Sequence, residues 1–405
     1  MIQIIKWILI LILTTITMFS QESFSNKEGS QYKFTLVKDL EATKVENQNR
    51  TGTCWSFSAL SYFESEIIRL GHEPVDLSEM YVVRNAYIGK ATNYLRMNGN
   101  SNFAVGGAFH DIPWVIKRYG IVPQHVYMGL NYGYEVHNHN EMNAALKGMM
   151  EGFNKKPQDK KLTKNWKKAF TGVVDAYLGE LPDDVTDFTF TENGKTYNPI
   201  TYTESLGLKL DDYISVTSYT HHPFYSQFVI EVPDNWAMET SYNIPLDDFM
   251  ELMENAIMNG YTFAWGADIS EKGFSAKDAL AILPKDTETI QKKGKDEAFF
   301  NGVGSEKISN AFVQPVAERI VTQKERQEAF DEQTTTDDHG MHITGIVKDQ
   351  KGTKYFIVKN SWGTKYNQKD GYFYASFPYV RYKTMNIMIH KDALSKSLKK
   401  KLDID

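Results

Sequence analysis

The sequence predicts an α+β protein with a helical N-terminal half and a sheet-rich C-terminal half. Three observations carry this. From Cys54 to Leu70, apolar residues recur at three- and four-residue steps (Phe57, Leu60, Phe63, Ile67, Leu70), the period of an amphipathic helix. From His342 to Lys359, two apolar runs flank a short polar turn, which reads as a β-hairpin. The chain has 405 residues, 41% hydrophobic and 24% charged, enough to bury one large core or two moderate ones.

Taken in order, the chain opens with Lys6, an apolar run from Trp7 to Phe19, and polar Ser20-Gln21-Glu22. A positive start and a short apolar stretch read as a secretory signal over residues 1–20, hence an exported protein. An N-terminal membrane anchor is the alternative, because Ile2 to Ser20 is almost long enough to span. The remainder, 21–405, reads as one domain. Its helical half covers residues 45–130. The helix from Cys54 ends at Gly71, and a second helix follows the N-cap Ser78. The Gly106-Gly107 pair leads into a third helix that stops at Gly120.

Residues 130–244 read as an insertion: a Lys-rich helix with the apolar stripe Trp166, Phe170, Val173, Val174 and Tyr177, then polar, turn-rich stretches. Its lysines read as a solvated face. The β half, 245–390, contains a helix from Leu246 to Met258, a strand from Tyr261 to Ala267, a polar helical stretch over 312–330, and the terminal hairpin. A tail, 391–405, follows. No repeat of 20–50 residues is evident.

The hairpin register follows from its turn. With Gln350-Lys351-Gly352 as a three-residue loop and Gly352 in the left-handed position, Asp349 faces Thr353. Stepping outward in an unbroken ladder brings His342 opposite Asn360, on one face, with Cβ atoms about 4.5–5.5 Å apart. His339, three residues earlier, has no such partner in this register.

Charge and cysteine usage narrow the functional classes. A net charge of −6 argues against non-specific nucleic-acid binding. Lysines and aromatics do not interleave in a nucleic-acid pattern either. His137 with His139, and His221 with His222, lack the His-Glu-x-x-His spacing; they read as solvated, with no metal and no cofactor. Cys54 is the single cysteine, so it forms no disulfide within the chain. It is a small buried hydrophobe, an intermolecular link or a reactive thiol.

Its surroundings favour the reactive thiol. A helix N-terminus stabilises a thiolate, and Cys54 opens a helix behind Gly52, with Trp55 starting the helix that supports it. His342, oriented by Asn360, supplies an acid/base pair. Gln48 and the Cys54 backbone N–H supply two oxyanion donors.

These residues form a pattern. "QNRTGTCWSF" (48–57) resembles the nucleophile motif of the papain-like cysteine peptidases, family C1. "LSE" at Leu77–Glu79 and Gly106-Gly107 resemble that family's next landmarks, "MHITGIV" its histidine strand, and "VKNSWGTKYNQKDGYFY" its asparagine motif. The resemblance implies a papain-like fold, with an N-terminal helical subdomain and a C-terminal antiparallel, barrel-like subdomain. It implies Cys54 as nucleophile, His342 as acid/base, Asn360 as orienting residue and Gln48 as oxyanion donor. Trp362 would shield the His–Asn hydrogen bond, and Gly106-Gly107 would line the cleft and meet an extended peptide.

Cysteine and histidine lie far beyond the ~130–150 residues usual in papain-type enzymes, which calls for large insertions. That layout is similar to the bleomycin hydrolase and aminopeptidase C branch. There the C-terminal carboxylate enters the cleft and holds the substrate amine, so Asp405 would do so here; a solvated, frayed tail is the alternative. A homo-oligomer is implied by the same resemblance. The expected activity is hydrolysis of peptides through a thioester, as an aminopeptidase. A papain-like endopeptidase, or a non-catalytic peptide-binding protein on the same scaffold, are the alternatives.

Overall fold

The structure, a computed structural model, describes residues 23–155, 161–293 and 306–405. The export segment expected over residues 1–20 lies outside the described residues. Among them, no helix is long and apolar enough to cross a membrane.

The helical half begins with α1 (Cys54–Arg69), α2 (Glu79–Arg96) and α3 (Asp111–Tyr119). Ser78 caps α2 by accepting the Tyr81 N–H, and Gly71 and Gly120 take positive φ of 88° and 68° where α1 and α3 end. Further helices are α4 (Asn140–Asn154), α5 (Asn165–Leu178) and α6 (Pro199–Ser205). The Lys-rich segment is α5, and it buries Phe170, Val174 and Leu178 while its lysines face water. The remaining helices are α7 (Leu246–Met258), α8 (Gln323–Asp331), α9 (Phe377–Lys383) and α10 (Lys396–Leu402). The polar stretch expected as helical over 312–330 is helical only from Gln323, where Thr322 and Glu325 form a capping box.

Among the described residues, 190–192 with 195–197 and 291–293 with 306–308 form two separate two-stranded sheets, and eleven strands form one mainly antiparallel sheet. From one edge its order is 227–229, 240–243, 213–217, 384–390, 263–267, 339–348, 354–359, 372–376, 280–281 and 274–275; 35–39 pairs with the far end of 339–348. Residues 213–243, within the expected insertion, thus supply three strands of this sheet.

One hydrophobic core lies among α1–α6 and a second between the sheet and α7, α9 and α10. α1 sits at their junction, buried from Trp55 to Ile67. That is why a helix with a single apolar stripe also carries buried Glu64 and Glu66: the Leu77 N–H donates to Glu64 and Arg69 pairs with Glu66.

The hairpin turn forms as expected. Gly352 takes φ 88° and the Asp349 N–H donates to the Thr353 carbonyl at 2.9 Å. The ladder then runs without a break from Lys348↔Lys354 to Gly345↔Ile357. Beyond that it slips. Ile343 faces Val358 and His342 faces Lys359, with a bulge at Thr344. His342 is therefore not opposite Asn360, and the expected pairing is corrected.

Candidate active site

Cys54 is the first residue of α1, with its Sγ where the positive end of the helix dipole lies. The approach of the chain to it is tight. A Cβ on Gly52 would stand 2.1 Å from the Val105 side chain, so only glycine fits there. Trp55 packs its ring on Gly107 and donates its indole N–H to the Val105 carbonyl at 3.3 Å. It thereby braces the glycine loop against the helix.

The histidine facing Asn360 is His339. Its Nε2 lies 2.7 Å from Asn360 Oδ1, which also accepts the Ser361 N–H at 2.8 Å, while Asn360 Nδ2 donates to the Tyr366 hydroxyl at 3.2 Å. With its oxygen so fixed, Asn360 Oδ1 accepts a hydrogen bond from an Nε2–H of His339, which leaves Nδ1 as the free nitrogen. The Trp362 ring lies 4.7 Å from the His339 ring, tilted by 30°, and covers this bond. Cys54 and His339 line one cleft, with Gly340, Gly107 and His110.

His342, expected as the acid/base, lies elsewhere. Its Nδ1 is 3.0 Å from Ser61 Oγ, in a buried polar pocket where Lys359 also donates to Ser61 at 2.8 Å. Burial and the Lys359 charge hold its pKa well below the ordinary value. The cause of the exchange is the bulge. One extra residue in a strand moves every later side chain to the other face, so His342 turns toward α1 and His339 toward the cleft. Gly345 was the legible signal: a Cβ there would stand 2.5 Å from the Lys38 carbonyl, and glycine inside a strand marks a bulge or close approach.

Gln48 is buried beside the motif. Its Nε2 donates to the Thr51 carbonyl at 2.8 Å and its Oε1 accepts from Ser361 at 2.7 Å, which leaves one amide N–H for a ligand. Gly107 lines the cleft with Cys54, and Gly106 before it packs against Asp234.

Burial pushes the Cys54 thiol up to about 12; the Gly340 and Trp55 backbone amides oppose this, and the Asp234 and Asp337 carboxylates add to it. Burial also pushes the His339 imidazole down to about 4, against its bond to Asn360. Neither an isolated thiolate nor an isolated imidazolium is favoured here. A proton moving from Sγ to Nδ1 creates both charges together, each stabilising the other.

The cleft also holds residues with no sequence signal. Ile230, Val232, Asp234 and Asn235 of segment 230–236 line it beside the glycine loop. The Asp234 carboxylate occupies the position where a Cβ on Gly106 would stand, and accepts from Asn102 at 3.2 Å. Trp236 donates its indole N–H to buried Asp111 at 2.7 Å. Lys90 donates to the Ala104 and Gly106 carbonyls and is the nearby cation. Asp337 faces the same cleft, and among the described residues no hydrogen bond or ion pair reaches its carboxylate. Burial first, then Asp234 and Asp338, push it up to about 8.

The tail is not in this cleft. It folds as α10, with Leu398 and Leu402 buried in the second core and Lys401 3.2 Å from Asp248 of α7. The Asp405 backbone carbonyl lies near Lys399. Neither the cleft-filling tail nor the frayed one is what the chain forms, because two leucines four apart give α10 a face to bury.

Residues 33–177 match the family model described as "Papain family cysteine protease", and 310–405 match "Peptidase C1-like family". Over 408 residues the chain is 24% identical to "Aminopeptidase C" of Streptococcus thermophilus, covering 89% of this chain and 83% of that one. It is 23% identical over 391 residues to "Bleomycin hydrolase" of Rattus norvegicus, covering 84% and 79%. A crystal structure of PepW from Lactobacillus rhamnosis superposes with a TM-score of 0.65 at 19% identity, covering 91% of this chain and 84% of that one. The chain belongs to the papain-like C1 cysteine peptidases, in the branch of aminopeptidase C and bleomycin hydrolase.

Proposed function

We propose that this protein is a cysteine aminopeptidase in which Cys54 is the nucleophile, His339 the acid/base, Asn360 its orienting partner and Gln48 an oxyanion donor. Cys54 Sγ gives its proton to His339 Nδ1 and attacks the peptide carbonyl. The oxyanion is held by the Cys54 backbone N–H and the Gln48 amide. His339 then protonates the leaving amine as the tetrahedral species collapses to a thioester. Water, losing a proton to His339, attacks the thioester, and the acid leaves as the thiol is restored.

The observation that carries the exopeptidase reading is the blocked, acidic end of the cleft. Segment 230–236 lines it beside Gly106 and would serve as its wall, and Asp234 and Asp337 put carboxylates there. A peptide reaching Cys54 ends against this wall, and the group a carboxylate pair fits is the substrate's free α-ammonium. Here an internal segment takes the place that the resemblance assigned to a C-terminal carboxylate.

The test compares fluorogenic single-residue amides with the same amides N-acylated, with Cys54→Ala as control. Preference for free amines supports the reading. Cleavage of blocked, internal bonds alone would make the protein an endopeptidase.

A further inference from the structure

Outside the cleft, two adjacent histidines and a glutamate converge on one point. His221 Nε2 is 3.1 Å from Glu231 Oε2, and His222 Nε2 is 3.2 Å from Glu231 Oε1. One ligand atom from each residue lies within 4.8 Å of the others. Two imidazoles and one carboxylate are a common first set of ligands for zinc-class ions, with a water or a fourth group completing the shell. Bonds of about 2.0–2.1 Å in a tetrahedron require ligand atoms about 3.3–3.4 Å apart, and each histidine lies near that distance from one of the two Glu231 oxygens.

The rings are held in place, as a preformed site needs. His222 stacks on Phe228, with centroids 4.3 Å apart and planes at 22°, and His221 stacks on Phe330 at 5.6 Å and 24°. The Gln327 amide meets His221 Nδ1, with Oε1 at 3.3 Å and Nε2 at 3.1 Å. Gln327 is itself fixed by the Thr220 N–H at 2.6 Å and by Asp331 at 2.8 Å. An Nδ1–H donated to Gln327 Oε1 turns the Nε2 lone pair toward Glu231; such outer partners set the tautomer of metal-binding histidines. Side-chain exposures of 27%, 37% and 55% for His221, His222 and Glu231 leave the site open to solvent for ion entry.

We propose that His221, His222 and Glu231 bind one divalent zinc-class ion. Glu231 lies in the 230–236 segment that brings Asp234 to the cleft, so the ion would tie that segment to the 219–222 loop. Without the ion, the same groups form two His–Glu hydrogen bonds, and experiment separates the two states.

The full chain carrying Cys54→Ser, which removes the thiol as a competing ligand, is titrated calorimetrically with Zn²⁺. Co²⁺ is then substituted and its visible absorption recorded. The expected result is one ion per chain, an intense visible band marking a low-coordinate site, and at least tenfold weaker binding in both His222→Ala and Glu231→Gln. The melting temperature should rise with Zn²⁺ in the parent and not in these variants. No binding, or binding that neither substitution changes, would overturn the site; the latter would place the ion elsewhere, for example at His137 and His139. Either result leaves the catalytic assignment of Cys54, His339 and Asn360 untouched, because none of the three proposed ligands belongs to it.

Discussion

His339 Nε2 meets Asn360 Oδ1 at 2.7 Å beneath the Trp362 ring, while His342, three residues further along the same strand, bonds Ser61 on the opposite face of that strand. Two histidines so close in sequence therefore have separable consequences. His339→Ala should lower kcat/KM by about 10²–10⁴-fold, the range for a removed acid/base, without a large change in melting temperature. His342→Ala should cost about 1–3 kcal/mol of stability, because Ser61 loses a buried partner, and spare most of kcat at a permissive temperature. Steady-state kinetics and thermal melts on both variants check this; the opposite assignment of losses would restore His342 as the base.

The cleft carboxylates predict a pH signature. Asp337 is pushed up to about 8, so below that pH it is protonated in the free enzyme. Holding an ammonium requires it ionised, and the proton must leave. The KM for free-amine substrates should therefore fall as pH rises toward 8, by at most about tenfold per unit. Above about 8 the substrate amine itself loses its proton, and KM should rise again. Asp337→Asn should flatten this profile and shrink the preference for free over blocked amines. Kinetics of one matched substrate pair across pH 5.5–9 decide the matter; an unchanged profile in the variant would remove Asp337 from amine recognition.

Segment 230–236 is fastened to the helical half partly through Trp236 and Asp111. Asp111 is pushed up to about 7 chiefly by burial, with Lys90 and the Trp236 indole opposing that rise. Trp236→Phe deletes the donor while keeping an aromatic ring. It should destabilise the protein by about 1–3 kcal/mol and loosen the closed end, raising cleavage of N-blocked peptides relative to free amides. A variant of unchanged selectivity would show that closure does not depend on this bond.

Removal of residues 396–405 tests the tail. Because α10 buries Leu398 and Leu402 away from the cleft, the truncated chain should lose about 1.5–3 kcal/mol for each leucine and keep its preference for free amines. Denaturant melts and the substrate pair together read both effects. New cleavage of blocked peptides by a folded truncation would return the exopeptidase stop to the tail.

Local chemistry made much of this protein legible from its sequence. The helix opening at Cys54 was set by apolar spacing, Ser78 by its cap geometry, and the 350–352 turn by the positive φ that glycine accepts. Gly52 before the cysteine was readable for a similar reason: it permits a close backbone approach, here to Val105. Each depends on residues within a turn or two of one another.

What tertiary structure decided was the choice between His339 and His342, the course of the tail and the wall of the cleft. The bulge at Thr344 begins beside Gly345, where the Lys38 carbonyl of a neighbouring strand comes close, a contact across three hundred residues. Asp234 and Asp337 are ordinary surface-type carboxylates in sequence, and become a pair only where the 230–236 segment meets the start of the 339–348 strand. Periodicity fixes which side of an element is buried, but a register changes face with one residue, and such a slip is settled by packing against strands that are distant in the chain.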